Sequence, residues 1–264
     1  MLRLNGFAAA VAITVSACAV STQQELEMGA QYATEINRQL PLVRDGSANS
    51  IINQMGDNIA RSGKRGFNYT FYIVNSDVVN AFAVPGGHVY VNRGLIERTR
   101  SYAELAGVLA HEIGHVENRH GAEQMERMQR ASLGVNLAYI LTGRQPGPAD
   151  ETLINAAGTA YFAKHSRAAE NEADESAVPM LVAAGINPNG MVSMFELLLS
   201  LQSRQPSTIE GWFSTHPTTR DRIDHTRSVI ARYNSAQLRR LTSSSSSYNT
   251  LKSRLRALPA APRN

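Results

Sequence analysis

The sequence predicts a mainly helical α+β domain with one small β-sheet. Residues 69–74, 78–84 and 88–92 are rich in aromatic and β-branched side chains, which are typical of strands. The last two segments flank a Pro-Gly-Gly sequence at 85–87, which suits the turn of a hairpin. After Gly94 the pattern becomes that of helices. A chain of 264 residues can bury a sizeable core as a single domain.

Capping and stop signals delimit the predicted helices. Ser101 and Glu104 match a capping box, so a helix begins near residue 102. Gly185 and the Asn-Pro pair at 187–188 are stop signals between two later helices. The other predicted helices cover residues 21–40, 48–62, 123–142, 150–164, 168–184, 189–203 and 218–233.

The N-terminal residues predict a secreted, lipid-anchored protein. Residues 1–17 contain one arginine and an apolar run too short to cross a bilayer, as in a signal peptide. The sequence Val-Ser-Ala-Cys at 15–18 resembles the bacterial lipobox, which predicts cleavage before Cys18 and lipidation of its thiol. We expect the body in the periplasm, with Ala19 rather than Asp favouring the outer membrane. The alternative is a plain signal peptide with a chance cysteine.

The two ends bound a single predicted domain at residues 18–242. Residues 243–264 begin with a serine run and end in proline and arginine, which predicts a disordered tail. The net charge is only +4, and no block of Lys and Arg stands out, so we expect no nucleic-acid partner.

The sequence His-Glu-Ile-Gly-His at 111–115 places chargeable groups in an apolar helix. His111 and His115 are four residues apart and share a helix face, so both can reach one Zn²⁺ ion. Glu112 lies about 100° around the helix, beside the metal, where it can act as the general base. The alternative is a buried helix with two hydrogen-bonded histidines, and a third ligand decides between them.

A second acidic helix can supply that ligand. Glu170 and Asp174 are four residues apart on one face, so one can bind zinc while the other accepts a hydrogen bond from a ligand histidine. Glu172 lies on another face, where solvent is expected. The alternative is a surface helix rich in acids.

Four motifs occur in order over roughly residues 25–235. The motifs are residues 80–91, His-Glu-Ile-Gly-His followed by Arg-His at 111–120, Ser-Arg-x-x-Glu-x-x-Ala-Asp at 166–174, and Thr-His-Pro at 215–217. With these motifs the chain resembles the zinc metallopeptidase (gluzincin) family that contains the CaaX prenyl endoproteases and the HtpX-type proteases, most closely its periplasmic lipoprotein members. The resemblance implies a zincin-like metalloprotease fold with one Zn²⁺ per chain, Glu170 as the third ligand and Asp174 behind a ligand.

Three further residues have two interpretations each. The resemblance implies that His216 steadies the oxyanion of the transition state or acts as a removable fourth ligand. Arg222 either pairs with a carboxylate of the site or only stabilises the fold. His120 either supports the site or is an ordinary packed histidine.

The hairpin predicts how a substrate binds. An edge strand beside the zinc can pair with any extended peptide through main-chain hydrogen bonds. We therefore predict an endopeptidase for unfolded or misfolded envelope proteins, with a role in quality control. One alternative is an outer-membrane assembly chaperone with a closed or little-used zinc site, and another is a zinc hydrolase of cell-wall peptides. The residues expected to contact substrate are Asn80, Ala81, Phe82, Gly86 and Gly87.

Overall fold

The computed structural model describes residues 20–127, 165–204, 209, 212–213, 215–217 and 219–261. Cys18, the signal peptide and the predicted helix at 150–164 lie outside the described residues, as does most of the predicted helix at 123–142. Residues 120–127 are helical. None of the helices that the structure describes is long and apolar enough to cross a membrane.

The mainly helical α+β class is confirmed, with one three-stranded sheet in the described part of the chain. The strands are β1 (Thr70–Val74), β2 (Ala81–Val84) and β3 (His88–Asn92). The helices are α1 (Thr22–Gln39), α2 (Gly46–Ala60), α3 (Arg93–Arg98), α4 (Tyr102–Glu117), α5 (Arg167–Ala183), α6 (Asn189–Arg204), α7 (Arg220–Ile230), α8 (Ser235–Leu238) and α9 (Ser246–Ala257).

The sheet has the order β1-β3-β2, so β2 is an edge strand. β3 runs parallel to β1 and antiparallel to β2, which confirms the hairpin. β2 begins at Ala81, three residues later than predicted. Gly86 and Gly87 have φ angles of 77° and 94° and form the turn between the two strands. This left-handed conformation favours glycine, which explains the sequence of the turn.

Helix α4 is the centre of the core, because every residue from Ala103 to Val116 is buried. Its N-cap differs in part from the predicted capping box. The Ser101 hydroxyl accepts from the Glu104 amide at 3.1 Å, as a capping box requires. The Glu104 carboxylate, however, accepts from the Arg100 amide at 2.6 Å and not from the amide of Ser101. Glu104 also accepts from the Arg100 guanidinium, and this ion pair holds the carboxylate at Arg100, one residue before the N-cap.

Close packing between α4 and α5 positions the acidic helix. A Cβ atom on Gly114 would lie 2.5 Å from the Ala173 carbonyl oxygen, so the two backbones touch at this point. α5 begins at Arg167 because the Ser166 hydroxyl accepts from the Ala169 amide. The close approach places the first two turns of α5 beside the histidines of α4.

The prediction of a disordered tail at 243–264 is wrong. Residues 246–257 form α9, which packs against α2 and α3. Tyr248, Leu251 and Leu255 repeat at helical spacing and are buried, at most 4% exposed. The Tyr248 hydroxyl donates to the Thr99 carbonyl at 2.8 Å. The last two serines of the run begin this amphipathic helix, so the domain continues beyond residue 242.

Candidate metal centre

Four buried side chains bring ligand atoms together within 4.8 Å of one another. We call them the donor group: His111, His115, Glu170 and His216. The Nε2 atoms of His111 and His115 are 3.0 Å apart, because the two residues are one turn apart on α4. Glu170 on α5 places Oε1 3.3 Å from His115 Nε2. His216 places Nδ1 3.1 Å from the same Glu170 oxygen.

The outer nitrogens of both α4 histidines have their own partners. His111 Nδ1 lies 2.9 Å from Asp174 Oδ1. An ionised carboxylate only accepts, so His111 donates from Nδ1 and turns the lone pair of Nε2 toward the donor group. His115 Nδ1 lies 2.9 Å from His120 Nδ1, and His120 Nε2 lies 3.1 Å from Glu172 Oε2. This series of hydrogen bonds also ends on a carboxylate. His115 therefore donates from Nδ1 as well, and the lone pair of its Nε2 points toward the donor group.

The chemistry of the donor group fits a metal ion. Lone pairs of two imidazoles and a carboxylate converge in a buried space, an arrangement that repels itself unless a cation lies between the donors. Nitrogen and oxygen ligands of this kind suit first-row divalent metals. His111, His115 and Glu170 could therefore hold a metal ion, and His216 could contribute a fourth ligand.

The charges around the donor group agree with this role. Burial opposes the ionisation of Glu170, but His216 and Arg222 hold the pKa of this carboxyl well below its usual range. Burial, followed by the charge of His111, holds the pKa of His115 well below that of free histidine. An ionised carboxylate and a neutral imidazole are the forms that bind metal.

Arg222 joins the carboxylates behind the donor group. Its Nε and Nη2 atoms donate to both oxygens of Asp174, and Nη1 contacts Glu170 Oε2. The guanidinium lies over the ring of Phe195, 4.4 Å from the ring centroid. α7 points Arg222 inward from its first turn, where the Thr219 side chain caps the helix. Of the two predicted interpretations, the structure shows the pairing with site carboxylates.

Glu112 lies beside the donor group without a hydrogen-bond donor for one of its oxygens. Its Oε1 atom is buried and has no hydrogen-bond partner within the described residues, and it lies 3.6 Å from His216 Nε2. An ionised carboxylate oxygen in this position can still accept a proton or a hydrogen bond from a bound molecule.

A narrow cleft of about 20 Å³ adjoins these residues. Glu112, His115 and His216 line it, together with Phe82 and Ala83 of β2. Of the residues predicted to contact substrate, Phe82 therefore reaches the cleft. Asn80 precedes β2 and Ala81 begins it, whereas Gly86 and Gly87 follow it in the turn, and none of these four residues lines the cleft.

Sequence reasoning missed two neighbours of the donor group. The His165 ring stacks on His115 with centroids 4.0 Å apart, and the Trp212 ring lies 4.7 Å from that of His216. Glu172 is 62% exposed, as expected, and its carboxylate also contacts His120. His120 begins the helical segment at residues 120–127, directly after Arg119, whose φ angle is 59°. No local pattern in the sequence predicts that turn.

Comparison with known proteins identifies the family. The sequence pattern of peptidase family M48 matches residues 43–230. The chain is 33% identical to the Beta-barrel assembly-enhancing protease of Yersinia pestis over 81% of its own length and 45% of that protein. It is 31% identical to the Metalloprotease YcaL of Escherichia coli K12, over 86% of this chain and 85% of YcaL.

A eukaryotic relative is similar as well. The Mitochondrial metalloendopeptidase OMA1 of Schizosaccharomyces pombe is 30% identical over 70% of this chain and 52% of that protein. The chain spans about half the length of the assembly-enhancing proteases that it matches. These matches confirm the resemblance drawn from the four motifs. The chain belongs to peptidase family M48.

Proposed function

We propose that this chain is a zinc-dependent endopeptidase that hydrolyses peptide bonds in unfolded or misfolded proteins of the bacterial cell envelope. The observation that supports the proposal is a Glu112 oxygen without a hydrogen-bond donor beside a convergent donor group. The names of the relatives, proteases of β-barrel assembly and other metalloproteases, support the same activity and setting.

Each residue has a proposed part in the reaction. His111, His115 and Glu170 would hold one zinc ion, which when bound would act as a Lewis acid toward water and the scissile carbonyl. Glu112 accepts a proton from the attacking water and returns it to the leaving amine. Asp174 orients His111, and Arg222 holds Asp174 and Glu170 in place.

The free edge of β2 offers main-chain groups to a substrate. The Asn92 amide donates to the Asn80 carbonyl. Because hydrogen-bonded and non-hydrogen-bonded pairs alternate in an antiparallel ladder, the main-chain N–H and C=O groups of Phe82 and Val84 point toward β3. The N–H and C=O groups of Ala81 and Ala83 consequently point away from β3. Within the described residues β2 pairs with no other strand. An extended, unfolded segment could add there as a further strand.

His216 favours a second candidate function. Its Nδ1 atom lies 3.4 Å from His111 Nε2, inside the donor group, so His216 could occupy the position that a catalytic zinc keeps open for water. A chain with four protein ligands would be closed to substrate, as expected of an outer-membrane assembly chaperone. In the endopeptidase, the same histidine would leave the metal and stabilise the oxyanion.

Metal removal separates the two functions. The full chain is stripped with a chelator, reloaded with zinc, and assayed for cleavage of an unfolded polypeptide and for suppression of its aggregation. The endopeptidase proposal expects cleavage to be lost and then restored at one zinc per chain. Suppression of aggregation by the zinc-loaded chain, with no cleavage, would instead support the chaperone.

Location is part of the proposal. We propose lipidation at Cys18 and a position on the periplasmic face of the outer membrane, supported by the sequence at 15–18 and by the β-barrel assembly named in the relatives. From the names of these relatives we also propose that the protein contacts the machinery that assembles outer-membrane proteins.

A further inference from the structure

The main chain just before α1 is fixed to a residue that lines the cleft. The Val20 amide donates to Glu126 Oε1 at 2.8 Å, and the Val20 carbonyl accepts from Arg119 Nη2. Val20 is buried, with 8% of its surface exposed. Arg119 lines the cleft together with Glu112 and His115. One arginine side chain therefore joins the main chain at Val20 to the cleft.

The start of α1 is fixed at the same place. Ser21 and Gln24 form a capping box, in which the Ser21 hydroxyl accepts from the Gln24 amide at 3.2 Å and the Gln24 side chain accepts from the Ser21 amide at 2.9 Å. Arg119 Nε donates to the buried Glu25 carboxylate at 2.9 Å. The same guanidinium thus holds the residue before the helix and the first turn of the helix. Val20, the start of α1 and the edge of the cleft consequently move as one unit.

The proposed lipid anchor is very close to this unit in sequence. Cys18 precedes Val20 by two residues, which span at most about 7 Å when fully extended. A lipidated thiol holds its acyl chains in the bilayer and leaves the polypeptide at the level of the headgroups. Val20 would therefore lie within this short distance of the membrane surface. The tether is too short for the protein to turn the cleft edge at Val20 away from the membrane.

The exposed side chains at the start of α1 carry no charge. Ser21, Thr22, Gln23 and Gln24 are all exposed, whereas the glutamate that follows them is buried and paired with Arg119. Anionic headgroups would attract a basic surface and repel an acidic one, and they do neither to uncharged polar groups. We therefore expect that the short tether alone sets the orientation, independently of salt and of anionic lipid.

We propose that the edge of the cleft formed by residues 20–24 and Arg119 faces the lipid bilayer. We call this face the N-terminal rim. The proposal rests on the lipidation of Cys18 that is part of the proposed function, and it adds the orientation of the anchored protein. Its consequence is that polypeptides at the membrane surface meet the cleft directly.

Two matched positions on α1 test the orientation. Gln23 and Gln39 are both exposed, and each donates to a glutamate four residues away at 2.7 Å. Sixteen residues of helix separate them by about 24 Å. Gln23→Cys and Gln39→Cys are made in the full lipidated chain, where Cys18 is the only native cysteine and is occupied by lipid. The introduced thiol then carries the fluorophore.

Quenching by the membrane surface gives the result. The labelled chains are placed in phosphatidylcholine vesicles that contain some lipid with a nitroxide on its headgroup, a quencher of short range. We expect the label at position 23 to lose most of its fluorescence and the label at position 39 to lose little. Added salt or anionic lipid should not change this difference. A spacer of about ten Gly and Ser residues after Cys18 adds about 17 Å of average reach and should remove it.

Four results would overturn the orientation. Equal quenching at the two positions would show that the N-terminal rim does not face the bilayer. A difference that survives the spacer would show that the short tether does not set the orientation, and a difference that requires anionic lipid would assign it to charge. Cys18 without lipid, as measured by mass spectrometry of the membrane-bound protein, would remove the basis of the proposal. The expected quenching in a chain that does not cleave an unfolded polypeptide would contradict only the endopeptidase function.

Discussion

Arg222 donates two hydrogen bonds to Asp174, from Nε to Oδ2 at 2.6 Å and from Nη2 to Oδ1 at 2.9 Å. Both side chains are almost completely buried, and the same guanidinium contacts Glu170. Burial works against a charge on either partner, yet the pKa of Asp174 is lowered and that of Arg222 is raised by their mutual attraction. This pair therefore holds two helices and two site carboxylates together.

Removing the guanidinium should destabilise the protein strongly. Arg222→Met leaves two buried carboxylates without their cation, which we expect to cost about 3–5 kcal/mol in the free energy of unfolding of the metal-free chain. Arg227→Met on the same helix is the matched control, because its half-exposed ion pairs contribute about 1 kcal/mol or less. Denaturant titration measures both, and an equal effect of the two substitutions would contradict the role of Arg222.

Asp174→Asn should weaken metal binding while the fold is kept. The amide can no longer act purely as an acceptor for His111 Nδ1 and Arg222, so His111 loses its fixed orientation. We expect zinc affinity to fall about 10–100-fold in a competition assay with a chromogenic chelator. Glu175→Gln, one residue on and 45% exposed, should bind zinc as the wild type does.

The C-terminal helix should contribute to the stability of the domain. Leu251→Ala opens a cavity under α9, because this side chain is fully buried against the core. We expect a loss of about 2–5 kcal/mol in the free energy of unfolding. Thr250→Ala changes an exposed neighbour and should have little effect. Unchanged stability after Leu251→Ala would instead support the disordered tail that was predicted from the serine run.

A proline in the edge strand should impair cleavage without loss of metal. Ala83→Pro removes an N–H group that faces the free edge of β2, where proline is tolerated in a sheet. We expect a higher KM for an unfolded polypeptide and an unchanged zinc content. Ala83→Val keeps the N–H group and controls for bulk. Equal KM values for the proline and valine variants would argue against main-chain pairing at Ala83.

The sequence predicted those features that depend on local spacing. The shared face of His111 and His115 follows from helical periodicity, and the hairpin follows from its turn. The choice of Glu170 over Asp174 came from the family resemblance, and its geometry depends on the contact of Gly114 with Ala173, which no local pattern encodes.

Contacts between distant segments could not be predicted in this way. The His120–Glu172 contact joins α5 to the turn after α4, and the Glu25–Arg119 pair joins residues 94 positions apart. The error at the C-terminus has a different cause. Serine is frequent in disordered segments and also at helix starts, and only the apolar spacing of Tyr248, Leu251 and Leu255 distinguishes the two.

The most direct test of the endopeptidase is hydrolysis of an unfolded polypeptide by the zinc-loaded wild type and by Glu112→Gln, with zinc content measured for both. Glu112 is proposed as the base and not as a ligand, so the variant should keep one zinc per chain. We expect its kcat to fall by about 10²–10⁴-fold, the usual contribution of a general base. Cleavage by Glu112→Gln at the wild-type rate, or no cleavage by a wild type that holds its zinc, would contradict the account.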